Sequence, residues 1–208
     1  MTQPDFNIYL ITDRHQCAPE HTLFSALEAA LKGGVKAVQL REKDLGPKEL
    51  LQLAHQLRTL TVRYGARLLI NDRVDIALAA EADGVHLTEQ SMDVASARRL
   101  LGPKPLIGVS THSLERARSA EEDGANFITF SPIYFTPSKV EYGEPQGVEG
   151  LRRVCSEVNI PVFALGGITP ERHMEVQEAG ATGIALISAI IGAHDPTAAA
   201  QDFKLYVP

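Results

Sequence analysis

The chain has 208 residues, 44% of them hydrophobic and 22% charged, with a net charge of −6. That length suits one domain with a substantial core, and the acidic balance offers no attraction for nucleic acid or an anionic membrane. No apolar run approaches a membrane span, and the opening MTQPDFNIYLITDRH lacks the basic-then-apolar order of a signal peptide. Two cysteines, Cys17 and Cys155, show no CxxC spacing, which suits reduced thiols in a cytoplasmic protein. Cys17 falls in a loop and is read as non-catalytic.

In chain order, eight short apolar runs read as strands, at 8–12, 36–40, 67–70, 85–87, 106–110, 126–130, 162–165 and 183–187. Helical patterns separate them. The clearest begins at Pro47, a good first-turn residue, carries Leu50, Leu53, Ala54, Leu57 and Leu60 on one face, and stops at Gly65. Four times a helix-like stretch closes on glycine just before a strand: Gly33-Gly34-Val35, Ala82-Asp83-Gly84, Asp123-Gly124-Ala125 and Ala179-Gly180-Ala181. Such alternation implies right-handed βαβ units and a parallel sheet. Continuously apolar strands imply that both faces are covered. Eight units can close into a (β/α)₈ TIM barrel, a single domain over residues 1–208. An open doubly wound sheet is the alternative. It usually carries a Gly-rich turn after the first strand, where this chain reads Ile11-Thr12-Asp13-Arg14-His15, so the barrel is preferred.

A barrel keeps its reactive groups at the C-terminal ends of the strands. Those ends supply Gln39, Arg41 and Lys43 after strand two, Asn71, Asp72 and Arg73 after strand three, and His86 within strand four. Strand five adds Ser110 and His112, strand six Thr136, Ser138 and Lys139, strand seven Gly166-Gly167, and strand eight Ser188. Hydroxyls, cations and close-approach glycines at strand ends suit a small phosphorylated substrate. Gln39, Arg41 and Lys43 alternate and share a face if the strand extends, which suits a diphosphate; salt bridges to Glu42 or Asp44 are the plainer use. Asp72 is either a Mg²⁺ ligand or the N-cap of a helix from Val74. His112 suits acid–base work or packing support for the helix from Leu114, where Ser113 is the better cap. His86 is read as a buried, hydrogen-bonded structural histidine. The other histidines show no ligand spacing, and no zinc site is expected.

The ordered motifs VQLREKD (38–44), INDRVDIA (70–77), DGVHL (83–87), GVSTHS (108–113), SPIYFTPSK (131–139), LGGIT (165–169) and ISAI (187–190) resemble the thiamin-phosphate synthase/TenI superfamily. The resemblance implies a (β/α)₈ barrel, a homodimer or higher homo-oligomer, that binds a thiazole phosphate. Two activities occur in that superfamily. The synthase joins hydroxymethylpyrimidine diphosphate to the thiazole phosphate with Mg²⁺. The TenI-type tautomerase moves a proton to aromatise thiazole carboxylate phosphate and needs no metal.

Carried onto this chain, the resemblance assigns Thr136, Ser138, Gly167, Ile187 and Ser188 to the thiazole phosphate. Gln39, Arg41, Lys43, Asn71, Ser110 and Lys139 would take the pyrimidine diphosphate, and Asp72 matches a synthase metal ligand. The departure lies after strand four, where synthases carry a second aspartate four residues past Leu87. Here that position is Ser91, with Glu89 and Asp93 as carboxylates nearby but out of register. Losing that charge weakens a Mg²⁺ site. On that ground the sequence reading favours a tautomerase with His112 as the proton shuttle. A Mg²⁺-dependent synthase is the alternative, and a non-catalytic thiazole-phosphate binder a further one.

Overall fold

The computed structural model describes residues 3–136 and 144–204. Eight parallel strands close into a barrel in sequence order. They are β1 Ile8–Ile11, β2 Ala37–Leu40, β3 Arg67–Asn71, β4 Gly84–Leu87, β5 Leu106–Thr111, β6 Phe127–Phe130, β7 Val162–Leu165 and β8 Gly183–Leu186. No predicted strand end is off by more than one residue. Closure between β1 and β8, through pairs such as Tyr9 with Ala185, excludes the open sheet. The helices are α1 Leu23–Lys32, α2 Pro47–Arg63, α3 Val74–Ala79, α4 Val94–Leu101, α5 Leu114–Glu122, α6 Gly147–Glu157, α7 Pro170–Glu178, α8 Ser188–Ile191 and α9 Pro196–Lys204. Among the described residues no helix is long and apolar enough to cross a membrane.

Period-two alternation divides the strand side chains between two cores. Ile8 and Leu10 of β1 point out and pack under the helices, as do Val38 and Leu40, Leu68 and Ile70, and Val85 and Leu87. Tyr9, Leu69, Phe127, Phe163 and Ala185 point inward, and Phe6 packs with them before β1 begins. The interior aromatics meet edge to face, Phe127 with Tyr9 at 5.5 Å and with Phe163 at 5.4 Å. Their bulk needs gaps among the facing residues. A Cβ on Gly108 would lie 2.4 Å from the Phe127 ring and 2.6 Å from His86.

Gly34, Gly124 and Gly180 close their helices in the left-handed region, as expected. The Ala82-Asp83-Gly84 triplet does not. There Glu81, at φ 51°, ends the turn after α3, and Gly84 instead belongs to β4. A Cβ on Gly84 would sit 2.1 Å from the Leu106 carbonyl oxygen, so this glycine allows β4 and β5 to approach.

Candidate active site

Towards their C-terminal ends the inward positions change from apolar to polar. Gln39, Asn71, His86, Ser110 and Thr129 form the floor and walls of a cavity of about 580 Å³, with Arg41, Lys43, Glu89 and His112 at its mouth. Hydrogen bonds tie the floor together. Gln39 Nε2 donates to Tyr9 Oη at 3.0 Å, the Tyr9 hydroxyl lies 3.4 Å from His86 Nδ1, and His86 Nε2 lies 3.1 Å from Ser110 Oγ and 3.3 Å from Thr129 Oγ1. Gln39 and His86 are each only 1% exposed, so these partners satisfy groups that burial would otherwise penalise. Burial also holds the Tyr9 hydroxyl far above its usual pKa, which keeps it neutral. His86 is thus the buried structural histidine expected, and it also forms part of the floor.

β2 ends at Leu40, so Arg41 and Lys43 lie past the last paired residue, yet both still line the cavity. The salt bridges weighed for them are not made. Glu42 and Asp44 go to Arg14, and among the described residues neither Arg41 nor Lys43 pairs with a carboxylate. Two unpaired cations therefore face one opening.

His112 follows β5. Its Nδ1 lies 2.8 Å from the Ser131 carbonyl oxygen. A carbonyl only accepts, so Nδ1 donates this hydrogen bond and orients the ring. Ser113 caps α5, accepting from the Arg116 N–H at 3.2 Å, so His112 is not the cap, and it lines the cavity. Asp72 is not an N-cap: that position falls to Arg73, with no side-chain bond. Instead Asp72 takes φ 63°, a conformation aspartate tolerates, with its N–H on the His86 carbonyl at 2.9 Å. It flanks Asn71 without lining the cavity itself, and its carboxylate makes no hydrogen bond or ion pair among the described residues. Arg73 is taken up by Asp75.

The turn after β4 explains the serine. Ser91 Oγ accepts from the Thr88 N–H at 2.8 Å and sits 3.1 Å from Thr88 Oγ1, closing the turn on itself. Asp93 is the N-cap of α4, accepting from the Ser96 N–H at 2.7 Å, so it is committed elsewhere. Glu89 lines the mouth, with Arg116 at 3.8 Å. Among the described residues no group of three or more His, Cys, Asp and Glu could hold a metal. Mg²⁺, however, needs only one or two carboxylates when substrate phosphates complete its shell. The carboxylates such a shell could draw on are Glu89, which lines the cavity, and Asp72, which flanks it beside Asn71.

A second cavity of about 100 Å³ adjoins the first, sharing Gln16, Leu165 and Ile187 with it. Its walls include Thr136, Gly166, Gly167, Ile187 and Ser188. Gly167 has φ 64°, and a Cβ there would lie 2.8 Å from Tyr134 Cβ, so the β6 and β7 loops meet only because it is glycine. Arg172 donates to the Gly167 carbonyl at 2.8 Å, and its guanidinium lies 4.4 Å from the Tyr134 ring centroid. Ser138 and Lys139 lie outside the described residues.

Sequence reading passed over the loop after β1, from which Asp13 and Gln16 reach the cavity. Their place at a strand's C-terminal end was the available signal. Thr129, inside an apolar strand, offered none. Cys17 and Cys155 are both free thiols. Burial, and then the charges of Glu42 and Asp13, push the Cys17 thiol up, which disfavours the nucleophilic form.

The family profile described as "Thiamine monophosphate synthase" matches residues 8–190. A putative thiamine-phosphate synthase of Geobacter sulfurreducens is 56% identical over 100% of this chain and 97% of its own length. The thiamine-phosphate synthase of Chloroflexus aurantiacus is 43% identical over 98% of this chain and 93% of its own length. Among solved structures, the thiamine phosphate pyrophosphorylase of Pyrococcus furiosus superposes with a TM-score of 0.87 at 37% identity, over 97% of this chain and 95% of that one. With its barrel, its two adjoining cavities and matches along nearly the whole chain, the protein belongs to the thiamine monophosphate synthase family.

Proposed function

We propose that the protein is a thiamine-phosphate synthase, joining hydroxymethylpyrimidine diphosphate to a thiazole phosphate and releasing diphosphate. The observation that carries this reading is Arg41 and Lys43, two cations at the cavity mouth with no carboxylate partner among the described residues. A proton-transfer enzyme acting on thiazole carboxylate phosphate has one phosphate and one carboxylate to hold. A diphosphate substrate beside a phosphate substrate needs a strongly cationic subsite and a separate phosphate subsite, and the glycine-walled second cavity is the latter. The names of relatives at 43% and 56% identity support the synthase and favour it over the tautomerase reading drawn from Ser91.

Under this reading Arg41 and Lys43 bind the diphosphate, Arg by its planar fork and Lys as a point charge. Gln39, Asn71 and Ser110, with Lys139, serve the pyrimidine diphosphate, and the hydrogen-bonded floor fixes the Gln39 and Ser110 side chains before substrate arrives. Gly167 and Ser188 hold the thiazole phosphate, with Thr136, Ser138 and Ile187 around the ring. The bond from the pyrimidine methylene to the diphosphate oxygen breaks with its electron pair on oxygen. The thiazole nitrogen lone pair then forms the new C–N bond. Mg²⁺, when bound, offsets charge on the departing diphosphate, and Asp72 with Glu89 would hold it.

Purified protein given both precursors is expected to form thiamin phosphate only with Mg²⁺, and Asp72→Ala should lower kcat by about 10²-fold or more. No product under any Mg²⁺ concentration would refute the synthase. The tautomerase retains one specific observation, His112 lining the cavity with its ring oriented by the Ser131 carbonyl. Isomerisation of thiazole carboxylate phosphate, lost in His112→Ala, together with absent condensation, would reinstate it. Ligand binding without either turnover would leave the non-catalytic binder.

A further inference from the structure

The four residues after β2, Arg41, Glu42, Lys43 and Asp44, alternate in charge. Left to themselves they would neutralise one another. Arg14, in the short 3₁₀ turn Arg14–Gln16 after β1, takes both carboxylates. Its backbone N–H donates to both Glu42 oxygens at 3.2 Å, and its Nη1 donates to Glu42 Oε2 at 3.0 Å. The guanidinium fork also grips Asp44 at 2.6 and 2.5 Å, where His15 Nε2 adds a contact at 3.1 Å. The Glu42 side chain is 1% exposed, and a carboxylate buried that far requires a cation. Arg41 and Lys43 are the cations next to it in sequence. Arg14 itself does not line the cavity, whereas Arg41 and Lys43 do.

We infer that Arg14 is a positioning residue for diphosphate recognition: by engaging Glu42 and Asp44 it leaves Arg41 and Lys43 unpaired and facing the cavity. The identity of the anion rests on the synthase reading above. Without Arg14, Glu42 recruits Arg41 or Lys43, and the substrate must compete with an internal carboxylate for its own ligand. A purely structural Arg14, tying the β1 loop to the β2 loop, makes a different forecast. Removing the two carboxylates would then leave the damage unrepaired.

The test is calorimetric binding of inorganic diphosphate, with Mg²⁺, to the wild type, to Arg14→Ala, and to Arg14→Ala/Glu42→Gln/Asp44→Asn. Melting temperatures establish that each is folded, and KM is measured for both substrates. Arg14→Ala should weaken diphosphate binding and raise the pyrimidine diphosphate KM by about tenfold, with the thiazole phosphate KM unchanged. The triple variant should return to within about threefold of the wild type. Should Arg14→Ala not fold, Arg14→Lys with and without Asp44→Asn repeats the comparison with the cation kept and the fork lost. Unchanged binding in Arg14→Ala, or a folded triple variant no better than it, overturns the inference. A wild type that binds diphosphate but forms no thiamin phosphate sinks the synthase reading alone. One that condenses while Arg14→Ala binds normally sinks the Arg14 inference alone.

Discussion

Gly167 shows how far one residue commits the second cavity. Its φ of 64° strains any L side chain, and the nearest atom to an added Cβ is Tyr134 Cβ at 2.8 Å. Gly167→Ala should therefore push the β6 loop away from β7 and raise the thiazole phosphate KM by about tenfold. The pyrimidine diphosphate KM should stay near wild type, because Arg41 and Lys43 belong to the other cavity. Steady-state kinetics with each substrate varied in turn checks this, and equal rises in both KM values would refute separate subsites. At this scale the sequence was legible where chemistry and position coincided. Gln39, Arg41, Lys43, Asn71, Ser110 and His112 all line the first cavity, as their strand-end places implied. Thr129 was not legible, because a hydroxyl in an apolar strand looks the same whether it faces a cavity or a helix.

Among the elements, the turn from β4 into α4 is where residue type and residue role part. Glu89, Ser91 and Asp93 offer two carboxylates and a hydroxyl within five positions, and sequence alone ranks none as a metal ligand. Backbone geometry separates them: Ser91 closes the turn, Asp93 caps α4, and Glu89 faces the mouth. Asp93→Ala is therefore a stability variant. It should lower Tm by about 2–4 °C while leaving the Mg²⁺ dependence of condensation unchanged. A shifted Mg²⁺ requirement in Asp93→Ala would return that residue to the candidate metal ligands. Glycine closed α1, α5 and α7 as the pattern implied, but at α3 a glutamate took the left-handed position because β4 needed Gly84 for close approach to β5.

For the molecule as a whole, the ionisable groups define a window of stability. Arginines hydrogen-bonded to Asp5, Asp44 and Asp75 hold those carboxyls below their usual 3.8. Burial holds His173 below its usual 6.5. Groups depressed on folding stabilise above their unfolded values, so stability is lost as pH falls, first below 6.5 through His173 and then below 3.8 through the carboxyls. Cys155 is pushed up by burial from 9.0 to about 11, so its contribution is present below 9.0 and lost as pH rises towards 11. Thermal unfolding across pH should accordingly show its highest Tm between 6.5 and 9.0. His173→Phe should move the acid-side decline to lower pH, and an unmoved profile would show that His173 titrates alike in both states.

The sequence by itself determined the eight strands, their alternation with helices and the polar groups at their C-terminal ends, and it favoured a barrel that the pairing of β1 with β8 then closed. Those follow from hydrophobic period and helix-ending glycines, signals that act over a few neighbouring residues. Which opposite charges meet was decided only by the tertiary structure. Glu42 and Asp44 had cations beside them in sequence, yet their partner is Arg14, about thirty residues earlier and brought close because β1 pairs with β2. Such a choice depends on distances set by strand register, and no local pattern in the chain encodes them.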